Sequence, residues 1–361
     1  MKLATYKDGS RDGQLVVVSR DLGLAHFATG IASRLQQVLD DWNFLSPQLQ
    51  DLTVTLNQGR ARHAFTFEPR QCMAPLPRAY QWAEGSAYPS HLARLRLAQG
   101  AAGSAGGATD AASNPEAAPT TAPTASLAAA NALRMIRGGS DHFLGPCDDA
   151  WFGSGLWDID FGAGLAVITG DVPMGAGADQ ALDGVRLLML ANAWRLRNRL
   201  PADGATGLDG LQRHAATAFS PVAVTPDELG EAWQGGRVHL SLQSAINGQP
   251  VDCCDAGPAM RFHFGQLIAH LARTRRLGAG SVVGSGPVSN PEDDQDWHGI
   301  AEQRAVEPIA SGAPRTPCLV DGDTVRIEVQ GRDGLSVFGR IEQRVGRPPD
   351  ASAPPADPDA G

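Results

Sequence analysis

The chain has 361 residues, 42% of them hydrophobic and 19% charged, with a formal net charge of −9, which is enough for one large domain or two ordinary ones around a sizeable core. No basic segment offsets the acidic balance, so a nucleic-acid groove is not expected; no apolar run approaches the ~20 residues of a membrane helix, and "MKLATYKDGSRDG" lacks a signal peptide's apolar stretch, so a cytoplasmic location is expected. Beyond Lys2 and Lys7 every basic residue other than histidine is an arginine, which leaves the body of the chain without a Walker, Schiff-base or kinase-type lysine.

In chain order, residues 1–77 read as a small N-terminal α/β domain. "QLVVVSR" has the composition of a short strand, and "IASRLQQVLDDW" places Ile31, Leu35 and Leu39 on one helical face. The proline-punctuated "MAPLPRAYQW" crosses into a main domain spanning 78–345. Near 100–130 the text turns to Ala, Gly, Ser, Thr and Pro, too little apolar surface to offset the entropy of ordering, so a mobile insertion is expected. "LAVITGDVP" is a strand entering a turn, and "ADQALDGVRLLMLANAWRL" carries a helical apolar stripe. Thr225-Pro226-Asp227-Glu228 has the signature of a helix start. Asn247-Gly248 in "VHLSLQSAINGQPVDC" is a hairpin turn, "FGQLIAHLARTRRL" is a helix, and "DTVRIEVQGRDGLSVFGRIEQRV" is a second hairpin about Asp333-Gly334. Residues 346–361 read as a disordered tail. Strand-rich segments with few helices imply an α+β fold with predominantly antiparallel strands.

Several motifs dissolve on inspection. Gly162-Ala163-Gly164 leads to Val167 where a dinucleotide fingerprint needs a third glycine, and more strand follows instead of a helix N-terminus; "GAGADQ" at Gly175 lacks the third glycine too. Ser140, Asp141 and His142 are consecutive, so their side chains diverge and cannot relay a proton. The five cysteines include adjacent Cys253 and Cys254 but no Cys-x-x-Cys, which favours reduced thiols, and Cys147 has no basic neighbour in sequence to activate it. His263 and His270 fit core or capping roles.

What remains is a series of ordered phrases: "YQWAEGSAYPSH", "GGSDHFLGPCDD", "DIDFGAGLAVITGDVPMG", "LDGVRLLMLANAWRLRN", "ATAFSPVAVTPDELG", "FHFGQLIAHLA", "GSVVGSGPVSN" and "GDTVRIEV". Together they closely resemble the fumarylacetoacetate hydrolase family, from the first residues to about Val345. The resemblance implies a mixed β-roll, a homodimer, and a hydrolase of carbon–carbon bonds in acylpyruvate-like diketo acids from aromatic amino-acid breakdown. It also implies a divalent cation, Mg, Mn or Ca, that chelates the substrate oxygens while a histidine activates water.

Carried over position by position, the resemblance places Glu84 at the first metal-ligand site and His91 at the water-activating histidine. The family's Glu-x-Glu falls on Gly162 and Gly164, and its next acid falls on Ala193. Arg197 matches a substrate-side arginine, His214 stands where the family has a lysine, and Gln212 joins Arg197 in substrate binding. With three of four ligand carboxylates replaced, metal-dependent activity is expected to be lost or strongly reduced. A two-residue register slip would present Asp158 and Asp160 on the vacated face, but flanking packing normally fixes register. Two alternatives follow: a non-catalytic small-acid binder or dimer partner, and a metal-free tautomerase using His91 and His214.

Overall fold

β-branched and aliphatic runs bounded by turns build this protein, and the central strands of its main sheet are covered on both faces. The computed structural model describes residues 1–95, 132–197, 213–290 and 299–348. The low-complexity segment near 100–130, residues 349–361 of the tail, and Gln212 lie outside the described residues. Gly346, assigned by sequence to the tail, instead closes the last strand and pairs in parallel with Trp151.

A 12-stranded sheet dominates, running from Phe65–Thr66 through Leu24–Phe27, Gln14–Val18, Lys2–Tyr6, Ala223–Val224, Val185–Leu196, Ala163–Thr169, Ser281–Pro287 and Gln81–Gly85 to Met135–Gly138. Ala216–Phe219 and Ile159–Asp160 also pair with Val185–Leu196. Its pairings are antiparallel apart from Ser281–Pro287 against Gln81–Gly85. The strands of the N-terminal region join this sheet at Lys2↔Val224 and Leu3↔Ala223. A second, five-stranded sheet carries the Asn247-Gly248 hairpin, whose two turn residues have φ of +51° and +76°, the left-handed pair that a two-residue hairpin favours. This is the α+β, largely antiparallel architecture that the sequence predicts.

One long element departs from expectation. The helix read across "ADQALDGVRLLMLANAWRL" is confined to Ala178–Leu182, and Val185–Leu196 is a 12-residue strand. Leu187, Met189 and Ala191 enter one core while Leu188, Leu190, Trp194 and Leu196 enter the other. A strand buried on both faces loses the polar alternation that distinguishes it from a buried helix. The helix near Ile31 likewise begins later, as Leu35–Asp40 followed by Trp42–Asn57. Pro226–Ala232 is a 3₁₀ segment.

Candidate functional site

Strand register decides which side chains can meet. Gly164 stands opposite Ala191 and Pro287, Arg195 opposite Asp160, and Glu84 beside Gly284. Opposed residues share a face and alternate residues repeat it, so Glu84, Asp160, Gly162, Gly164, Ala193 and Arg195 all lie on one side of the large sheet. The positions that the resemblance ties to a metal therefore converge in space.

A guanidinium occupies that convergence. Arg195 Nη2 donates to Glu84 Oε2 in an ion pair whose side chains are only 8% and 7% exposed. Two strands lie between the partners, Ala163–Thr169 and Ser281–Pro287. Burial pulls the Arg195 guanidinium below its ordinary range; Glu84 acts against that pull and nearby Arg197 adds to it. Arg197, three-quarters buried, donates from Nε and Nη2 to Asp160 Oδ2 at 3.0 and 2.9 Å.

Asp160 is the structural hub. Its Oδ1 accepts from Phe161 N at 2.9 Å and Ile300 N at 2.8 Å, and Oδ2 accepts from Ala301 N at 3.2 Å as well as from Arg197. A carboxylate at the start of helix Ile300–Ser311 meets the exposed amides and the positive end of the helix dipole. Both oxygens are thus engaged. Asp158 sits outside the sheet with φ of +50°, and the Arg195↔Asp160 register is fixed, so no slip brings an Asp-x-Asp pair to the face.

The two glycines are required by the backbone around them. A Cβ on Gly164 would stand 2.5 Å from the Gly286 carbonyl oxygen, and one on Gly162 would stand 2.9 Å from the Ala193 carbonyl oxygen and 3.4 Å from Pro287 Cγ. The register of Ser281–Pro287 shifts between Gly284 and Pro287, and Gly286 adopts φ of +83°. This irregularity presses a carbonyl into the space a side chain at 164 would need.

The residues present do not fit a divalent cation. Hard cations of this kind draw on several oxygen ligands, whereas Gly162, Gly164 and Ala193 offer no side-chain oxygen and Glu84 already holds a guanidinium. Among the described residues no group of three or more His, Cys, Asp and Glu side chains could hold a metal.

A second network adjoins the first through the same helix. His91, in the helical segment at 89–95, bonds through Nδ1 to Glu302 Oε1. Arg94 Nη1 donates to Glu302 Oε2 at 3.0 Å and to Ser289 Oγ at 2.9 Å, Ser289 Oγ donates to Glu302 Oε2 at 3.0 Å, and Arg94 Nη2 donates to the Asn290 carbonyl at 2.8 Å. Glu302 is fully buried. Burial alone would raise its carboxyl, but His91 and Arg94 hold it below the usual range, so it orients His91 as an anion.

Among the other sequence-singled residues, His214 is half-buried two residues ahead of Ala216–Phe219. His263 stands at the N-cap of Phe264–Leu271, and Gln266 Oε1 accepts from its amide at 3.0 Å. All five cysteines are free, and burial pushes the Cys147 thiol up. Arg195, Arg94, Ser289 and Glu302 escaped the sequence reading. Arg195 had a signal: two residues after Ala193, it shares that residue's face once the segment is a strand.

Fold and site together define an α+β protein with a charged cluster on the face of its main sheet. The fumarylacetoacetase N-terminal domain 2 matches residues 1–78, and the fumarylacetoacetate (FAA) hydrolase C-terminal domain matches residues 82–346. The chain belongs to the fumarylacetoacetate hydrolase family. Among solved structures, maleylpyruvate hydrolase from Sphingobium sp. SYK-6, in complex with manganese(II) ion and pyruvate, is 13% identical with a TM-score of 0.60 over 96% of this chain and 99% of that one. Fumarylacetoacetate hydrolase from psychrophilic Exiguobacterium antarcticum is 16% identical, with a TM-score of 0.59 over 96% and 100%. 5-Carboxymethyl-2-hydroxymuconate delta-isomerase from Mycobacterium smegmatis is 14% identical, with a TM-score of 0.55 over 96% and 99%. These likenesses establish the shared fold. No curated protein sequence matches the chain. No helix among the described residues is long and apolar enough to cross a membrane.

Proposed function

We propose that this protein is a family member that has lost metal-dependent carbon–carbon hydrolysis and retains a pocket for a small acid, in a homodimer in the cytoplasm. The observation that carries the reading is the Arg195–Glu84 pair: the one carboxylate left at the ligand positions is neutralised by a buried guanidinium. The chemistry a divalent ion supplies in relatives such as the manganese-bound maleylpyruvate hydrolase has no matching donor set here. Arg197, anchored by Asp160, is then a carboxylate-binding side chain. Calorimetric titration with Mg²⁺ and Mn²⁺, followed by an absorbance assay on an acylpyruvate, tests the reading. The expected result is neither saturable metal binding nor turnover; turnover that a chelator abolishes would overturn it.

One observation favours a second reading, a metal-free tautomerase. The His91–Glu302 pair is intact and buried, and with Nδ1 engaged by the carboxylate, Nε2 is the nitrogen left to exchange a proton with a ligand. Keto–enol exchange of a 2-oxo acid in the presence of EDTA, lost in His91→Ala, would support this reading; exchange no faster than in buffer would dismiss it.

A further inference from the structure

We propose that Arg195 replaces the divalent cation as the ligand-holding positive charge, so that the site binds a small planar carboxylate through the guanidinium itself and needs no metal. The inference rests on the reading that the metal site is lost, and it adds what the pocket now recognises and through which atom.

Three observations carry it. First, Arg195 Nη1 is buried and has no hydrogen-bond partner, while Nη2 is held by Glu84. An unmade bond on a buried charged group is among the costlier defects a fold can contain, and it calls for an occupant. Second, the charges nearest the site are paired as Arg195 with Glu84 and Arg197 with Asp160, so the cluster presents no net negative field to a cation. An anion needs no such field, because it can bind directly to the unmatched guanidinium edge. Third, the chemistry suits a carboxylate: Nη1 carries N–H donors on a positive group that no protein acceptor meets, and a carboxylate oxygen lying in the guanidinium plane would accept from it. Arg197, less buried than Arg195 and just past the end of its strand, supplies a second guanidinium for an acid bearing a second oxyanion.

Oxalate, planar and carrying two carboxylates, is the probe. Its binding to the full chain is measured by calorimetry in EDTA, then in excess Mg²⁺, for the wild type and three variants. The expected result is binding in EDTA that Mg²⁺ does not tighten, weakened more than tenfold in Arg195→Met. Glu84→Gln should hold or tighten the affinity, because it removes the internal carboxylate that competes for the guanidinium. Arg195→Met leaves Glu84 unpaired and can unfold the protein, so Glu84→Gln/Arg195→Met, which removes both charges, serves as the second test and must also lose oxalate. Unchanged affinity in folded Arg195→Met or in the double variant overturns the proposal, as does a tenfold loss in Glu84→Gln. Absence of oxalate binding with and without Mg²⁺ defeats this inference and leaves the loss of the metal site standing. Binding that requires Mg²⁺ defeats both.

Discussion

The Glu84–Arg195 pair makes a stability prediction that does not depend on any ligand. Glu84 is 6% exposed and Arg195 7%, so neither charge can turn to water when its partner is removed. Deleting one member of such a pair strands the other in a low-dielectric interior and costs about 3–5 kcal/mol. Arg195→Met and Glu84→Gln should each show a loss of that order, read from urea unfolding followed by tryptophan fluorescence. Replacing both partners with uncharged groups of similar size removes the desolvation penalty of both ions together, and such replacements range from about neutral to 1–4 kcal/mol stabilising. The double variant should therefore lie within roughly 1 kcal/mol of the wild type or above it, giving a coupling energy of at least about 5 kcal/mol where independent sites would simply add. Additive losses, or a double variant as unstable as Arg195→Met alone, would mean that the two side chains are not each other's partners and that Glu84 is held by something else, a bound cation foremost.

Two further predictions concern the interior of the large sheet. Gly164→Ala should lower stability by about 1–3 kcal/mol, the usual range for overpacking, because the new methyl would lie 2.5 Å from the Gly286 carbonyl oxygen; at an unconstrained strand position the same change stabilises by roughly 0.5–1 kcal/mol, so the sign of the shift in urea midpoint decides the point. Lys2 is lowered to about 8, chiefly by burial and against the pull of Glu228. Below pH 8 both folded and unfolded chains carry the charge and the folded state bears the burial penalty. Between pH 8 and the unfolded value of 10.5 the folded state alone sheds its proton, so stability should rise with pH across that window, by up to about 3 kcal/mol. Unfolding of Lys2→Met at pH 7.5 and pH 10 should lack this increment, and an identical pH dependence in the two proteins would count against it.

The fold was legible wherever a strand had one polar face or a turn with special chemistry. The Asn247-Gly248 hairpin and the Ala163–Thr169 strand could be read directly, because left-handed turn residues and a short apolar run before a break have few other meanings. Val185–Leu196 could not, since burial on both faces erases its alternation. That error concealed Arg195: on a helix, residues 193 and 195 point about 200° apart, whereas on a strand they share a face. The family resemblance supplied Glu84, His91 and the vacated ligand positions by sequence order alone. Glu302 stayed hidden because its link to His91 spans more than two hundred residues and nothing local marks it. Asp160 enters the sequence reading only through a register slip, and its role emerges when the amides of Ile300 and Ala301 are seen to point at it.

The replacements at the site form a balanced set. A site of four carboxylates around a divalent ion, as the family pattern implies, is held together by the ion; without it the like charges repel at close range and each is costly to bury. Removing three of the acids solves the repulsion but leaves Glu84 as a lone buried anion, a defect that by itself is worth several kcal/mol. One arginine on the same face corrects it, and Arg195 is so placed. The Gly286 carbonyl then closes over Gly164, which makes return of an acid at that position a clash. If the acids alone had been lost, Glu84 would be expected to stand unpaired. Its pairing with Arg195, and the guanidinium nitrogen left without a partner, are the observations on which the proposed carboxylate site rests.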